Sequence, residues 1–413
     1  MLAACPLIRP FTGLRPRSEH AAAVAAPPYD VLSSEEARQR AAGKPYSFLH
    51  ISKAEIDLPP EIDHYAPEVY ARSAENLKKL IDEGILVRDA RPCYYAYRLV
   101  MGTHTQSGLI AAASVAEYDS KRIRKHEFTR PDKEDDRVRQ IEALNAQTGP
   151  VLLAHPDSDE AERLISAATS GAPVADLTAD DGIRHTIWRI DEAKAIERIS
   201  AVIGALSSLY IADGHHRSAA ASRVAAARRG QGRPDSAEFF LAVIFPARQM
   251  RIMDYNRVVR DLNGHSLDSF LKAVAERCTV TSCAARVTAE RTGTFGMYVG
   301  GRWYRLAIRP DRVPTEDPVR RLDVSVLSEQ ILAPILGIAD LRRDTRIDFV
   351  GGIRGLGELE RRVNSGEMAV AFAMHPTQMA ELMSVADAGE VMPPKSTWFE
   401  PKLADGLVSH VLD

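Results

Sequence analysis

The sequence has few cysteines: four in 413 residues, at Cys5, Cys93, Cys278 and Cys283. None of them forms a C-x-x-C pair, so their spacing excludes the common zinc and thioredoxin motifs as well as a dense disulfide framework. This usage favours a reducing, cytoplasmic location. The chain also lacks apolar runs near the roughly 20 residues that span a bilayer, so we expect no membrane partner.

Neither sign of charge dominates the chain. Lys and Arg number 53 against 56 Asp and Glu, which leaves a formal net charge of -3. A surface that follows a nucleic-acid backbone needs an excess of basic residues, so we expect no nucleic-acid partner. Any anion-binding site must therefore be local.

The composition is that of a folded globular protein, with 45% hydrophobic and 26% charged residues. Patterns typical of helices and strands follow one another in mixed order, which predicts a mixed α/β (α+β) fold. The length predicts two to three folding units. We place them at 1–195, an α/β region with candidate substrate loops, at 196–262, and at 263–413, a second α/β region.

Several elements can be placed from the pattern alone. Helical periodicity predicts a helix over 66–84 and another after Pro131, and two β-rich stretches from Cys93 and Gly108 predict a hairpin. Further along, an apolar strand ends at Asp213, a helix follows from His215, and a strand starts at Phe239. This last set predicts a strand–helix–strand unit.

The strongest chemical pattern lies at the joint between that strand and helix. It consists of Asp213, Gly214, His215, His216 and Arg217. A helix start presents unpaired N–H groups and a partial positive charge, and both favour a bound phosphate. Arg217 adds a bidentate donor, the histidines add hydrogen bonds, and Asp213 can cap the helix or reach a hydrated Mg²⁺ ion. The alternative is a plain cap with solvated histidines.

A second candidate site is the pair His126 and Glu127, followed by Arg130. Position 130 is arginine, so this is not the H-E-x-x-H zinc motif. A carboxylate beside a histidine and several cations suits a general base for a hydroxyl nucleophile or a contact to a charged substrate. From Asp135 onward, the charge run is typical of a solvated helix face.

Two loops could contact a ligand. Pro27 and Pro28 place Tyr29 and Asp30 in a loop, where they either bind a ligand or cap a turn. Near the end of the chain, a loop stiffened by two prolines presents an ammonium and two hydroxyl groups, which suit a phosphate or carboxylate unless the loop is a plain turn before Trp398. Its polar residues are Lys395, Ser396 and Thr397.

The segment IADGHHRSAAASRVAAARRG, followed by FFLAVIF, resembles the phosphate-binding segment of the ParB and sulfiredoxin-like superfamily. Four other stretches resemble a domain-of-unknown-function family related to the free-serine kinases: IRPFTGLRP, APPYDV, HEFTRPDKEDDR and MPPKSTWFEPKLADGLV. The resemblance covers essentially the whole chain. It implies a ParB/sulfiredoxin-like nucleotide-binding core whose phosphate segment lies in 196–262, with additional mixed-sheet regions.

The resemblance also implies phosphoryl transfer from ATP or ADP, with Mg²⁺, to a small hydroxyl substrate, with free L-serine as the first candidate. The residue patterns described above, rather than the resemblance, place the phosphates at 213–217 and assign Glu127, beside His126, as the acceptor of the hydroxyl proton. Substrate contacts would come from Tyr29, Asp30, Arg130, Lys395, Ser396 and Thr397. A nucleotide-gated ParB-like binding or regulatory protein and a phosphoserine phosphatase or phosphotransferase remain open, and the sequence does not indicate an oligomeric state.

Overall fold

The computed structural model describes residues 6–232 and 234–413, so Cys5 lies outside the described residues. Helices account for 37% and strands for 26% of the structure. Because neither type dominates and the sheets are mixed, the predicted mixed α/β class is confirmed. Within the described residues, Cys93, Cys278 and Cys283 are free thiols.

The strands are short, apart from the central hairpin. In chain order they are β1 (Ile8–Arg9), β2 (Gly13–Pro16), β3 (Leu86–Arg88), β4 (Tyr94–Met101), β5 (His104–Ser114), β6 (Ile123–Arg124), β7 (Ala146–Gln147), β8 (Val151–His155), β9 (Ala175–Thr178), β10 (Arg184–Ile190), β11 (Leu209–Asp213), β12 (Phe239–Pro246), β13 (Arg251–Met253), β14 (Tyr255–Val259), β15 (Cys278–Cys283), β16 (Thr294–Val299), β17 (Arg302–Ile308), β18 (Ile347–Gly351), β19 (Val370–Ala373), β20 (Trp398–Glu400) and β21 (Ser409–Val411).

None of the helices in the described ranges is long and apolar enough to cross a membrane. In chain order the α-helices are α1 (Ala21–Val24), α2 (Ser34–Ala41), α3 (Leu49–Ser52), α4 (Pro67–Asp82), α5 (Val115–Asp119), α6 (Pro131–Leu144), α7 (Asp159–Ala167), α8 (Ala193–Gly204), α9 (His215–Arg228), α10 (Leu267–Ala275), α11 (Asp323–Leu327), α12 (Leu356–Asn364) and α13 (Met379–Asp387).

The chain forms two compact units. The first contains the residues up to Met250 together with Pro401–Asp413, and the second is Arg251–Glu400. The chain therefore leaves the first unit once and returns to it near its end. The boundaries that we expected at 195 and 262 fall elsewhere: position 195 lies inside α8, and position 262 lies within the second unit.

A large mixed sheet organises the first unit, in the order β6-β11-β8-β12-β5-β4-β10-β9 over the described strands, with β1 also paired to β5. The predicted hairpin is confirmed as β4 and β5, which pair antiparallel from Tyr95 opposite Ile110 to Met101 opposite His104. Apolar residues of these strands and of the covering helices α7, α8 and α9 form one buried cluster. Burial of this apolar surface is the main stabilising contribution to the unit.

The predicted strand–helix–strand unit is confirmed as β11, α9 and β12. Strand β8 lies between β11 and β12, antiparallel to the former and parallel to the latter. Small side chains let α9 lie close to its neighbours, with Ala220, Ala221, Val224 and Ala225 all buried. The sheet therefore fixes the position of the helix start that follows Asp213.

The second unit is built on a separate sheet in the order β15-β17-β16-β19-β14-β18, and β13 and β20 form a further two-stranded antiparallel sheet. Arg257 on β14 is fully buried there, and its guanidinium donates to the backbone oxygen of Lys395 at 3.0 Å. Helix α11 ends at Leu327, and a π-helical turn, Ser328–Leu332, follows it directly.

Candidate functional site

The turn between β11 and α9 is built around Gly214. Its φ of 94° is left-handed, and a Cβ atom there would lie 3.0 Å from Arg217 Nε, so both observations favour glycine. Gly214, not Asp213, is the N-cap residue of α9. Asp213 holds the turn from the strand end, where its Oδ1 accepts a hydrogen bond from the Gly214 N–H at 2.8 Å. Because a glycine cap has no side chain to satisfy the first-turn N–H groups, an anion is favoured there.

Arg217 extends from the first turn of α9 into the interior and is only 9% exposed. Its Nη2 atom lies 3.7 Å from Asp30 Oδ2 and 3.6 Å from Asp213 Oδ1, and its Nη1 donates to the Pro150 backbone oxygen. Burial lowers the pKa of Arg217, but the carboxylates of Asp30 and Asp213 more than offset this, so the net pKa is raised. The guanidinium therefore remains charged, and its Nε has no hydrogen-bond partner in the described structure.

The predicted Tyr29–Asp30 loop lies at this arginine. Both residues belong to a 3-10 turn, Tyr29–Val31, that follows Pro28. The Asp30 side chain is 39% exposed, so it faces solvent as well as Arg217. The guanidinium of Arg137 lies 3.9 Å from the centre of the Tyr29 ring, and burial raises the pKa of the Tyr29 hydroxyl. Tyr29 is therefore a protonated donor at neutral pH.

His216 connects the segment around Arg130 to α9. Its Nε2 atom accepts a hydrogen bond from the Arg130 N–H at 3.0 Å. Burial lowers the pKa of His216, so the ring is mainly neutral at pH 7. The Arg130 side chain itself is exposed and pairs with Asp132 at 2.8 Å. The two sequence motifs, 126–130 and 213–217, thus meet in space.

His126, Glu127 and His215 form a tighter group beside the same turn. The rings of His126 and His215 meet edge to face with centroids 4.5 Å apart. His215 Nε2 accepts from the His126 N–H at 3.4 Å, and His215 Nδ1 lies 3.8 Å from Glu127 Oε2. Burial lowers the pKa of His126 to about 4 and that of His215 well below its usual value, so both rings are neutral at pH 7.

Two further residues lie at this site that the sequence did not predict: Lys402 and Asp405. The returning segment of the chain pairs with the Tyr29 loop through a β-bridge between Ala26 and Asp405. Lys402 Nζ then lies 3.5 Å from Asp213 Oδ2. Both residues stand in the quoted stretch MPPKSTWFEPKLADGLV, so the available signal was that resemblance.

Asp405 lies inside the first unit and is only 2% exposed. It lines a cavity of about 30 Å³ together with Tyr29, Arg137, Thr148 and Arg217. A space of this size holds one or two water molecules. Burial raises the pKa of the Asp405 carboxyl to about 7, Arg217 opposes the increase, and Asp30 adds to it.

Lys395, Ser396 and Thr397 belong to the second unit. The Lys395 ammonium lies 5.8 Å from the centre of the Tyr255 ring, and Ser396 Oγ donates to the Pro393 backbone oxygen at 2.6 Å. The backbone oxygen of Ser396 accepts from Thr377. These contacts tie the loop to its neighbours in the second unit, and the substrate contacts that we expect from it stay a prediction.

Residues 8–325 match a family described as a protein of unknown function, DUF1015. The chain belongs to the DUF1015 family. No curated protein matches it significantly.

Solved structures with some similarity to this DUF1015 chain include a mutant free serine kinase in complex with AMP, at 14% identity and a TM-score of 0.33, over 70% of this chain and 86% of that one. A conserved hypothetical protein from Pyrococcus furiosus has 14% identity and a TM-score of 0.33, over 72% and 93% of the two chains. SbnI from Staphylococcus aureus, truncated at its C-terminus, has 12% identity and a TM-score of 0.36, over 72% and 85%.

The carboxylate of Asp213 in this DUF1015 protein decides how Mg²⁺ would fit. Burial raises the pKa of this carboxyl, but the positive charges of Lys402 and Arg217 lower it by more than burial raises it. The net pKa is about 2, so the group is ionised at neutral pH. Oδ1 already accepts from Gly214, and Oδ2 faces the Lys402 ammonium. Asp213 therefore fits Mg²⁺ through a water molecule better than by direct ligation.

The raised pKa of Asp405 predicts a pH-dependent stability for the DUF1015 protein. Because the folded pKa of about 7 exceeds the unfolded value of 3.8, the folded state binds the proton more tightly. The contribution of Asp405 to the free energy of unfolding is therefore complete below the unfolded pKa and is lost as the pH rises through the folded pKa. Each unit of difference between the two pKa values corresponds to about 1.4 kcal/mol of this contribution.

We expect Asp405→Asn to be more stable relative to the wild type at about pH 8 than at about pH 5, as measured by urea unfolding. The amide can still accept the Tyr29 backbone hydrogen bond that the carboxylate receives. Buried histidines such as His185, whose pKa burial lowers to about 4, titrate in both proteins and cancel in the comparison. An identical pH dependence of the two proteins would contradict the role given to Asp405.

Proposed function

We propose that this protein transfers a phosphoryl group from a nucleotide to a small hydroxyl compound. The observation that carries the proposal is the Gly214 turn: a glycine-capped helix start over a buried Arg217, with the exposed carboxylate of Asp30 beside the guanidinium. The helix start and Arg217 supply positive charge for phosphate oxygens. The Asp30 carboxylate supplies a general base beside this phosphate position.

The chemistry follows from positioning and charge. The N-terminus of α9 would hold the phosphates of ATP or ADP, and Mg²⁺ would neutralise charge on the transferring group. Arg217 would keep the site positive while Asp213 and Lys402 hold the turn. Asp30 would accept the proton of the attacking hydroxyl group. The predicted base Glu127 is the alternative, and it lies 3.8 Å from His215 Nδ1.

L-Serine is the first acceptor to test, because the sequence resembles a family related to the free-serine kinases. The site supports this choice because a hydrogen-bond donor for an amino-acid substrate lies next to Asp30 in the chain. This donor is the Tyr29 hydroxyl, which burial keeps protonated. The substrate, the donor nucleotide and the Mg²⁺ ion are all parts of this proposal.

The test is a panel in which ATP or ADP is incubated with L-serine and related hydroxy acids, with Mg²⁺, and phosphorylated products are detected by mass spectrometry. We expect one hydroxyl compound to be phosphorylated, and we expect it to alter nucleotide affinity in calorimetric titrations. Duplex DNA at physiological salt is included because a nucleotide-gated clamp would bind it. Micromolar DNA binding that depends on nucleotide, with no phosphorylated product, would overturn the kinase proposal. Product that forms only when a phosphorylated hydroxy acid is the phosphoryl donor would favour a phosphotransferase.

A further inference from the structure

The Nδ1 atom of His126 has no hydrogen-bond partner in the described structure, although the residue is only 2% exposed. The ring also has a hydrogen bond with the backbone of Ile211, which orients it. Buried polar atoms are nearly always satisfied, and leaving one unsatisfied destabilises the folded protein. The imidazole is therefore oriented and its Nδ1 atom is available to bind a partner.

Two further donors converge on the same place. One ligand atom from each of His126, Glu127 and His215 lies within 4.8 Å of the others. Two ligands of one ion with bonds of about 2.1 Å lie no more than about 4.2 Å apart, so the group needs at most a slight contraction. The Glu127 side chain is 48% exposed and has three rotatable bonds, which allows this contraction.

We propose that His126, Glu127 and His215 bind a divalent first-row transition metal ion. Two imidazoles and one carboxylate are a donor set that proteins use for Zn²⁺ and Fe²⁺, whereas Mg²⁺ and Ca²⁺ prefer oxygen ligands. Three protein ligands leave at least one coordination position open, as in catalytic rather than structural sites. The backbone of Ile211 would orient His126 as outer-shell groups commonly orient metal-bound histidines.

The contacts already present do not account for the unsatisfied atom. Glu127 approaches His215 and not His126 Nδ1. The bond from the His126 N–H to His215 Nε2 is long, at 3.4 Å, so little is lost if His215 reorients to ligate an ion. No short sequence motif marks this site, because two ligands are adjacent in a loop and the third is 88 residues later at the start of α9.

The test uses the full chain, stripped with a chelator and titrated with Co²⁺ in the absence of nucleotide. We expect one Co²⁺ ion per chain, with visible absorption bands typical of nitrogen and oxygen ligation, and displacement by Zn²⁺. His126→Ala is expected to weaken Co²⁺ binding at least about a hundredfold, since even outer-shell changes weaken metal binding about ten- to hundredfold. Absence of Co²⁺ binding by the wild-type protein would overturn the proposal.

His155→Gln is the matched control. His155 is also fully buried in the first unit and has an unsatisfied Nε2, but it lies outside the group of three ligands. The control should bind Co²⁺ as the wild type does. If His126→Ala does not fold, as judged by circular dichroism, Glu127→Gln replaces it, because that side chain is half exposed. A folded ligand variant with wild-type Co²⁺ affinity would also overturn the site, whatever the outcome of the kinase assay.

Discussion

Asp30→Asn is expected to lower the turnover of phosphoryl transfer at least about a hundredfold, because it removes the carboxylate that accepts the hydroxyl proton. Nucleotide affinity should be retained or should rise slightly. The carboxylate lies 3.7 Å from Arg217 Nη2, so its removal leaves more positive charge for the phosphates. A loss of turnover without a loss of affinity separates chemistry from binding.

The matched variants are Glu127→Gln and Asp132→Asn. Glu127 is the alternative base, and Asp132 is an acidic residue near the start of α6 that pairs with Arg130. If Asp30 is the base, Asp132→Asn should leave turnover nearly unchanged, and Asp30→Asn should be the most impaired of the three. Full turnover by Asp30→Asn together with a hundredfold loss in Glu127→Gln would transfer the role of base to Glu127.

The sequence predicts the site best where the chemistry is local. The apolar run before Asp213, the glycine and the alanine-rich stretch after it lie within about twenty residues, so periodicity and turn chemistry suffice to place β11, the turn and α9. What the local pattern misses is the backbone conformation. An aspartate before a glycine looks like a helix cap, but the left-handed φ of Gly214 makes the glycine the cap residue.

Contacts between distant parts of the chain were not predictable in the same way. Lys402 and Asp405 reach the site because the last residues return to the first unit and pair with the segment at Ala26. This pairing is a single β-bridge with no alternating apolar pattern, so periodicity gives no signal for it. The unit boundary near Met250 could not be predicted from the sequence either, since no linker-like composition marks it.

The charge balance at the turn explains why Arg217→Ala should weaken nucleotide binding about ten- to hundredfold. A hydrogen bond to a charged group contributes about 1.5–3 kcal/mol, and each 1.4 kcal/mol is a factor of ten in affinity. The same substitution leaves Asp30 and Asp213 without the guanidinium that lies within 3.7 Å of both. Their uncompensated carboxylates would then repel phosphate oxygens at the start of α9.

Arg223→Ala provides the control, because it removes an arginine from the same helix. Arg223 is 45% exposed and pairs with Asp135 at 2.7 Å, away from the Gly214 turn. Exposed pairs contribute at most about 1 kcal/mol, so this variant should bind nucleotide as the wild type does. Calorimetric titration of the two folded variants with ATP and ADP measures the difference. Equal affinities would mean that Arg217 supports the fold of the turn without contributing charge to phosphate binding, and the helix N-terminus alone would then have to hold the nucleotide.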